Sequence, residues 1–199
     1  MNMPMSLPQS FYRQSTKKVA KELLGKKLVR IYKGKRISGI ITETEAYLGI
    51  KDMACHSFGG RMTERLKPMY LDGGHSYVYF IYGMYFCFNV VTRTSKHPEA
   101  VLIRALEPLE NIELMKSFRG KDDLKQLTTG PGKLAQALNI TKDLNGLSLA
   151  ENQIFIEDHS KISPSKIVMK PRIGIDYAGE AKDWPLRYYI KDSQFISKK

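Results

Sequence analysis

Apolar positions change period several times along this chain, and each change marks an element. Val19, Ala20, Leu23 and Leu24 fall on one helical stripe, with Ser15 at a cap position and Gly25 as a stop, which predicts a helix from Ser15 to Leu24. The period then drops to two. Lys27 to Lys33 and Arg36 to Tyr47 read as paired strands around a Lys33-Gly34-Lys35 turn. A loop rich in Gly, Pro and charge follows from Leu48 to His75. Tyr77 to Ile81 and Met84 to Val91 read as aromatic strands meeting at Tyr82-Gly83, and Ala100 to Leu106 as another strand. Pro108 is predicted to open a helix to Phe118, with Leu109, Ile112 and Met115 inward and Gly120 at its end. A short helix should begin at Pro131, and further strands fit Gln153 to Glu157, Lys166 to Ile175 and Leu186 to Ile190. Hairpin-connected strands dominate. The fold class expected is therefore α+β, a curved, mainly antiparallel sheet or open barrel with flanking helices. No linker or repeat cuts the chain, so residues 1–199 are expected to form one domain, with 1–9 a poorly ordered tail.

Two stretches carry candidate chemistry. In the strand Gly39 to Tyr47, side-chain alternation puts Glu43, Glu45 and Tyr47 on one face. A carboxylate beside isoleucines either finds a partner or has a shifted pKa, and both can serve catalysis. The bland alternative is an edge strand with a solvated acidic face. The second stretch, Tyr77 to Cys87, contains four tyrosines broken by Gly83. That break places Tyr82 and Met84 at a hairpin tip, where proteins that deform DNA carry apolar wedges. Enzymes acting on a single base hold it extruded between aromatic faces, and Tyr47, Tyr79 and His56 could supply them.

Charge adds a partner. The chain has 32 Lys and Arg against 20 Asp and Glu, a net charge of +12, which points to nucleic acid first and an anionic membrane second. Cys55 and Cys87 lack a CxxC spacing and read as reduced small hydrophobes of an intracellular protein, without a disulfide or metal clip. No apolar run is long enough to span a bilayer, and the start lacks a signal-peptide pattern.

Several blocks in this order are similar to the alkyladenine (3-methyladenine) DNA glycosylase family. They are Glu43-Thr44-Glu45-Ala46-Tyr47-Leu48-Gly49, His56-Ser57 with Gly59-Gly60-Arg61, Val78 to Asn89, and Leu102 to Pro108. Thr129 to Leu134, Arg172 to Ile175 and Ala178-Gly179-Glu180 complete the set, which spans about Leu23 to Ile190 and looks bacterial in type. The resemblance implies a monofunctional glycosylase of base excision repair, with no cofactor and no metal. It would flip 3-methyladenine, and also 7-methylguanine and hypoxanthine, out of duplex DNA and hydrolyse the N-glycosidic bond.

The resemblance also assigns roles. Glu45 matches the general base that activates a water, with Arg104 and the backbone carbonyl of Ile175 as the water's other partners. Tyr47, His56 and Tyr79 match the walls that stack on the flipped base, and Asn89 the residue that obstructs the exocyclic amino group of guanine. Tyr82 matches the wedge, with Met84 and Tyr85 along the groove. Arg61, Thr63, Lys133 and Lys142 fall at phosphate contacts, Lys133 on a turn whose free N–H groups suit a phosphate. Glu43 has no assigned role and is expected to make a structural hydrogen bond or ion pair. Asp176 stands where vertebrate members have glycine, and Cys55 and Phe88 vary around the pocket. The partner implied is double-stranded DNA acted on by a monomer, cytoplasmic and nucleoid-associated in a bacterium or nuclear in a eukaryote. A non-catalytic binder of distorted nucleic acid is the alternative from another class.

Overall fold

In the computed structural model, which describes residues 6–81 and 83–198, strands β1 (Lys27–Tyr32) and β2 (Lys35–Tyr47) form the hairpin expected around Gly34. The aromatic hairpin follows as β3 (Ser76–Ile81) and β4 (Tyr85–Thr92), and β5 (Glu99–Glu110) pairs with both β4 and β2. β6 (Ile154–Glu157) joins β1, while β7 (Ile167–Lys170) pairs β8 (Arg187–Ile190). Every pairing is antiparallel. At 13 residues, β2 outreaches its neighbours: β1 covers its first half and β8 covers Glu43 to Glu45 on the same edge. One strand served by two partners in succession curls the sheet into a half-barrel.

Helices α1 (Gln9–Tyr12), α2 (Thr16–Glu22), α3 (Ile112–Arg119), α4 (Leu124–Thr128) and α5 (Pro131–Ala137) complete this α+β fold. The main core joins α2 and α3–α5 to the sheet through residues such as Leu23, Ile41, Phe88, Ile103, Met115 and Leu134, all fully buried. Thr44 and Ala46 face this side, and Thr44 donates to the Ala20 carbonyl of α2 at 2.8 Å. The alternation therefore sends Glu43, Glu45 and Tyr47 to the opposite side, where Tyr47 packs between two smaller clusters.

Three local expectations change. The helix predicted from Pro108 begins at Ile112, and β5 continues through Pro108 to Glu110. Long β2 offers this segment a partner, and Gly39 lets it close in: a Cβ there would lie 2.9 Å from the Glu107 carbonyl oxygen. Leu109 is consequently 41% exposed and not inward, whereas Met115 is buried. The strand predicted over Lys166 to Ile175 stops at Lys170, because Pro171 has no N–H to give the ladder. Within the stretch expected to be a loose tail, Ser6 bridges Glu157 and the Leu7 N–H donates to the Ile156 carbonyl at 2.8 Å.

Candidate active site

The face carrying Glu43, Glu45 and Tyr47 is buried, so the solvated acidic edge is ruled out: both glutamates are 0% exposed. Beside them lies a cavity of about 520 Å³. Tyr47, His56, Tyr77 and Tyr79 give it aromatic walls, with Cys87, Asn89 and Leu102 from the β4–β5 pair. Ile173, Gly174, Ile175 and Tyr177 close another side, and Gly130 to Lys133 a third. The charged side chains that line it, Arg104, Arg119 and Lys133, are all cationic.

Glu45 sits immediately behind this wall. Its Oε2 accepts from the Tyr47 hydroxyl and its Oε1 from the Ile173 N–H, both at 2.9 Å. Arg104 Nη1 lies 3.4 Å from Oε1. Two hydrogen bonds and an ion pair offset the desolvation of a fully covered carboxylate. A carboxylate has about four acceptor sites, so Oε2, with a single partner, keeps one for a further donor. Burial first, then Glu45, pushes the Tyr47 phenol well above its ordinary pKa, which keeps its proton in that hydrogen bond.

The segment that supplies Ile173 is pinned from behind. Arg172, with no exposed side-chain surface, forms a bidentate pair with Asp52 at 2.5 and 2.8 Å and donates to the carbonyls of Ala46 and Ala181. Its guanidinium lies 4.7 Å from the Tyr47 ring centroid. Asp52 also accepts from the N–H groups of Leu48 and Ala54, so one ion pair ties the end of β2, the next loop and the Ile173 segment together.

The aromatic walls are cross-braced. His56 and Tyr79 meet edge to face at 4.6 Å, and His56 Nδ1 is 2.8 Å from the Tyr77 hydroxyl. Burial lowers the His56 pKa to about 4, helped by Arg65 and Arg61, so the ring is neutral at pH 7. Burial likewise raises Tyr77 to about 12. With its proton retained, the phenol is available as a donor to Nδ1. The Cys87 thiol is pushed up to about 11 by burial and stays protonated, so it is a wall and not a nucleophile.

The structure gathers Tyr47, His56, Tyr79, Tyr85, Asn89, Arg104, Lys133 and Ile175 at one cavity, with Glu45 directly behind it. Asn89 is held by its Nδ2 donating to the Tyr77 carbonyl at 3.0 Å. Tyr85 lies against Gly132, where a Cβ would come within 3.0 Å of the ring. Met84 is outside the cavity, 67% exposed at the hairpin tip with Phe80 and Tyr85 also exposed. Tyr82 lies outside the described residues. Arg61, Thr63 and Lys142 are exposed and line no part of the cavity. Phe88 belongs to the main core and does not reach it either. Glu43 makes the structural contacts expected of it: Arg187 Nη1 at 2.8 Å, the Ser197 N–H at 2.7 Å and Arg104 Nε at 3.5 Å.

Sequence reasoning missed Ile173, Arg172 with Asp52, Arg119 and Tyr77. Only the last carried a local signal, since a tyrosine two positions before Tyr79 shares its face. Among the described residues, no group of three or more His, Cys, Asp or Glu could hold a metal ion, and no helix is long and apolar enough to cross a membrane.

Comparison with known proteins gives the site a context. The family described as methylpurine-DNA glycosylase (MPG) matches residues 10–194. A protein of Bdellovibrio bacteriovorus is 55% identical, covering 98% of this chain and 100% of its own length. Relatives in Bacillus cereus and Desulfitobacterium hafniense are 51% and 50% identical over 98% and 97% of this chain, and over 100% and 98% of their own lengths. All three carry the provisional name 3-methyladenine DNA glycosylase. A match over nearly the whole chain decides the matter: the protein belongs to the methylpurine-DNA glycosylase family.

Proposed function

We propose that the protein excises alkylated and deaminated purines, 3-methyladenine first and also 7-methylguanine and hypoxanthine, from double-stranded DNA. The observation that carries this reading is the setting of Glu45: all three of its partners, Tyr47, Arg104 and Ile173, are also part of the aromatic cavity's wall. A carboxylate so placed is a base aimed at whatever the cavity holds.

In the reaction, Glu45 takes a proton from a water whose oxygen attacks C1′ of the extruded nucleotide. The N-glycosidic bond breaks, and its electron pair leaves with the base. Arg104 and the Ile175 carbonyl orient the water. That carbonyl accepts one bond from the Ala178 N–H at 2.9 Å and keeps a second lone pair. Tyr47, His56 and Tyr79 stack on the flipped purine, whose positive charge in alkylated lesions suits aromatic faces. Asn89 excludes the guanine amino group. Tyr82 fills the vacated stack, Met84 and Tyr85 lie along the groove, and Arg61, Thr63, Lys133 and Lys142 contact phosphates.

The attacking group is water, so no Schiff base forms and strand cleavage at the abasic site is absent. Incubation with methylated duplex DNA, followed by chromatography, should yield free 3-methyladenine, and borohydride should trap no covalent complex. Binding to lesion DNA with no base released would make the protein a non-catalytic reader of distorted DNA. Efficient borohydride trapping would replace the water by an amine nucleophile.

A further inference from the structure

Behind the cavity, four polar contacts tie the segment 195–198 to residues on or beside the strand of the proposed base. Thr42 Oγ1 donates to the Phe195 carbonyl at 2.5 Å, and the Ser197 N–H donates to Glu43 Oε2 at 2.7 Å. Arg187 Nη1 donates to the Lys198 carbonyl at 2.8 Å, and Arg104 Nε donates to Ser197 Oγ at 3.0 Å. Thr42, Glu43 and Arg187 are all buried, so this part-exposed segment is tied to interior groups.

Arg104 is the point where these contacts meet the chemistry. A guanidinium is a rigid plane, so fixing its Nε edge fixes where Nη1 points. Here Nη1 stands 3.4 Å from Glu45 Oε1. On the Nε edge, Glu43 stands at 3.5 Å, beyond a good hydrogen bond, while Ser197 Oγ is at hydrogen-bond distance. The directional restraint on the plane therefore comes from the strap and not from the neighbouring carboxylate.

We propose that the segment 195–198 is a positioning strap of the active site, in which Ser197 sets the plane of Arg104 and through it the geometry of Glu45 and the attacking water. Thr42 is the hook that places Ser197. This rests on the role given above to Glu45 and Arg104. Neither Ser197 nor Thr42 lines the cavity, so their loss should act on the chemical step and leave lesion binding alone.

The test uses full-length wild type, Ser197→Ala, Ser197→Thr, Thr42→Val and the double variant Thr42→Val/Ser197→Ala in single-turnover excision from methylated duplex DNA. Ser197→Ala should slow base release about tenfold with lesion-DNA Kd and melting temperature unchanged, since small misplacements of positioned groups are costly. Ser197→Thr, which keeps the hydroxyl, should return the rate to within about twofold of wild type. Thr42→Val should slow release as well, and the double variant should be no slower than the worse single one, because both free the same strap. Wild-type rates in Ser197→Ala, no rescue by threonine, or a rate loss that only tracks a lower melting temperature would each overturn the strap's role alone. A wild type that releases no base would remove the reading of Glu45 and Arg104 on which the strap depends.

Discussion

Glu43 and Glu45 are the same residue type on the same face of one strand, two positions apart, and the molecule treats them differently. Glu43 is enclosed by N–H donors on both oxygens: Arg187 and Arg104 on Oε1, the Ser197 backbone on Oε2. Neither Arg187 nor Ser197 lines the cavity. Glu45 meets a backbone N–H and Arg104 on Oε1, but a hydroxyl on Oε2, and all three partners face the cavity. A hydroxyl can reverse its hydrogen bond, whereas an N–H cannot. Glu43 is thus a charge committed to its scaffold. Glu45 has as many partners, but all of them face the cavity and one is a hydroxyl that can turn.

Replacing each carboxylate by its amide breaks the comparison most sharply. In Glu45→Gln the amide group can turn its NH2 to the Tyr47 oxygen, so the fold stays intact while excision falls by about 10³-fold or more for loss of the base. Glu43→Gln must point its NH2 at a fixed N–H donor and leaves Arg187 without its carboxylate. It should cost about 3 kcal/mol in denaturant unfolding, with the residual folded protein still excising base. If the amide at 43 abolished chemistry in a fully stable protein, the two roles would be reversed.

Acid sharpens the contrast between the cavity wall and the rest of the molecule. His56 has a folded pKa of about 4, below its ordinary 6.5, so the unfolded chain binds its proton first and stability is lost as pH falls from 6.5 towards 4. Between pH 7 and 5 wild type should lose about 2 kcal/mol more than His56→Phe in urea unfolding. Equal losses would show that His56 is not buried as a neutral ring. Next in size is Tyr47→Phe, which removes one donor to Glu45 and should slow excision about tenfold while the stacking wall remains. Wild-type rates would mean that the hydroxyl plays no part in holding the base. Smallest is Lys133→Ala at the rim: the slope of log binding constant against log salt should fall by about one, with lesion preference unchanged. An unchanged slope would take Lys133 off the phosphate path.

What the sequence made legible divides along the same line. Strand β2, its face and the aromatic hairpin follow local rules, because period-two alternation and turn glycines act between near neighbours. The separation of Glu43 from Glu45 required the family resemblance, since the residues that distinguish them lie far along the chain. Ile173 is 128 positions from Glu45, Arg187 is 144 from Glu43, and Ser197 is 154 from Glu43. The backbone N–H groups among these partners leave no trace in residue type. The Pro108 helix was misplaced for a related reason: an entry signal for a helix was present, but a 13-residue strand alongside supplied better partners. The wide cationic cast of the sequence pointed to DNA, yet it could not show which of the 32 basic residues are used inside. Arg172, Arg187 and Arg104 hold buried carboxylates.

The central claim is that Glu45, and not its neighbour, is the base of a hydrolytic excision. It is tested most directly by following release of free 3-methyladenine from methylated duplex DNA under single-turnover conditions, with wild type and Glu45→Gln at equal lesion occupancy. The account predicts rapid release by wild type and release at least about 10³-fold slower by the folded, DNA-bound variant. Release by Glu45→Gln at the wild-type rate would contradict it.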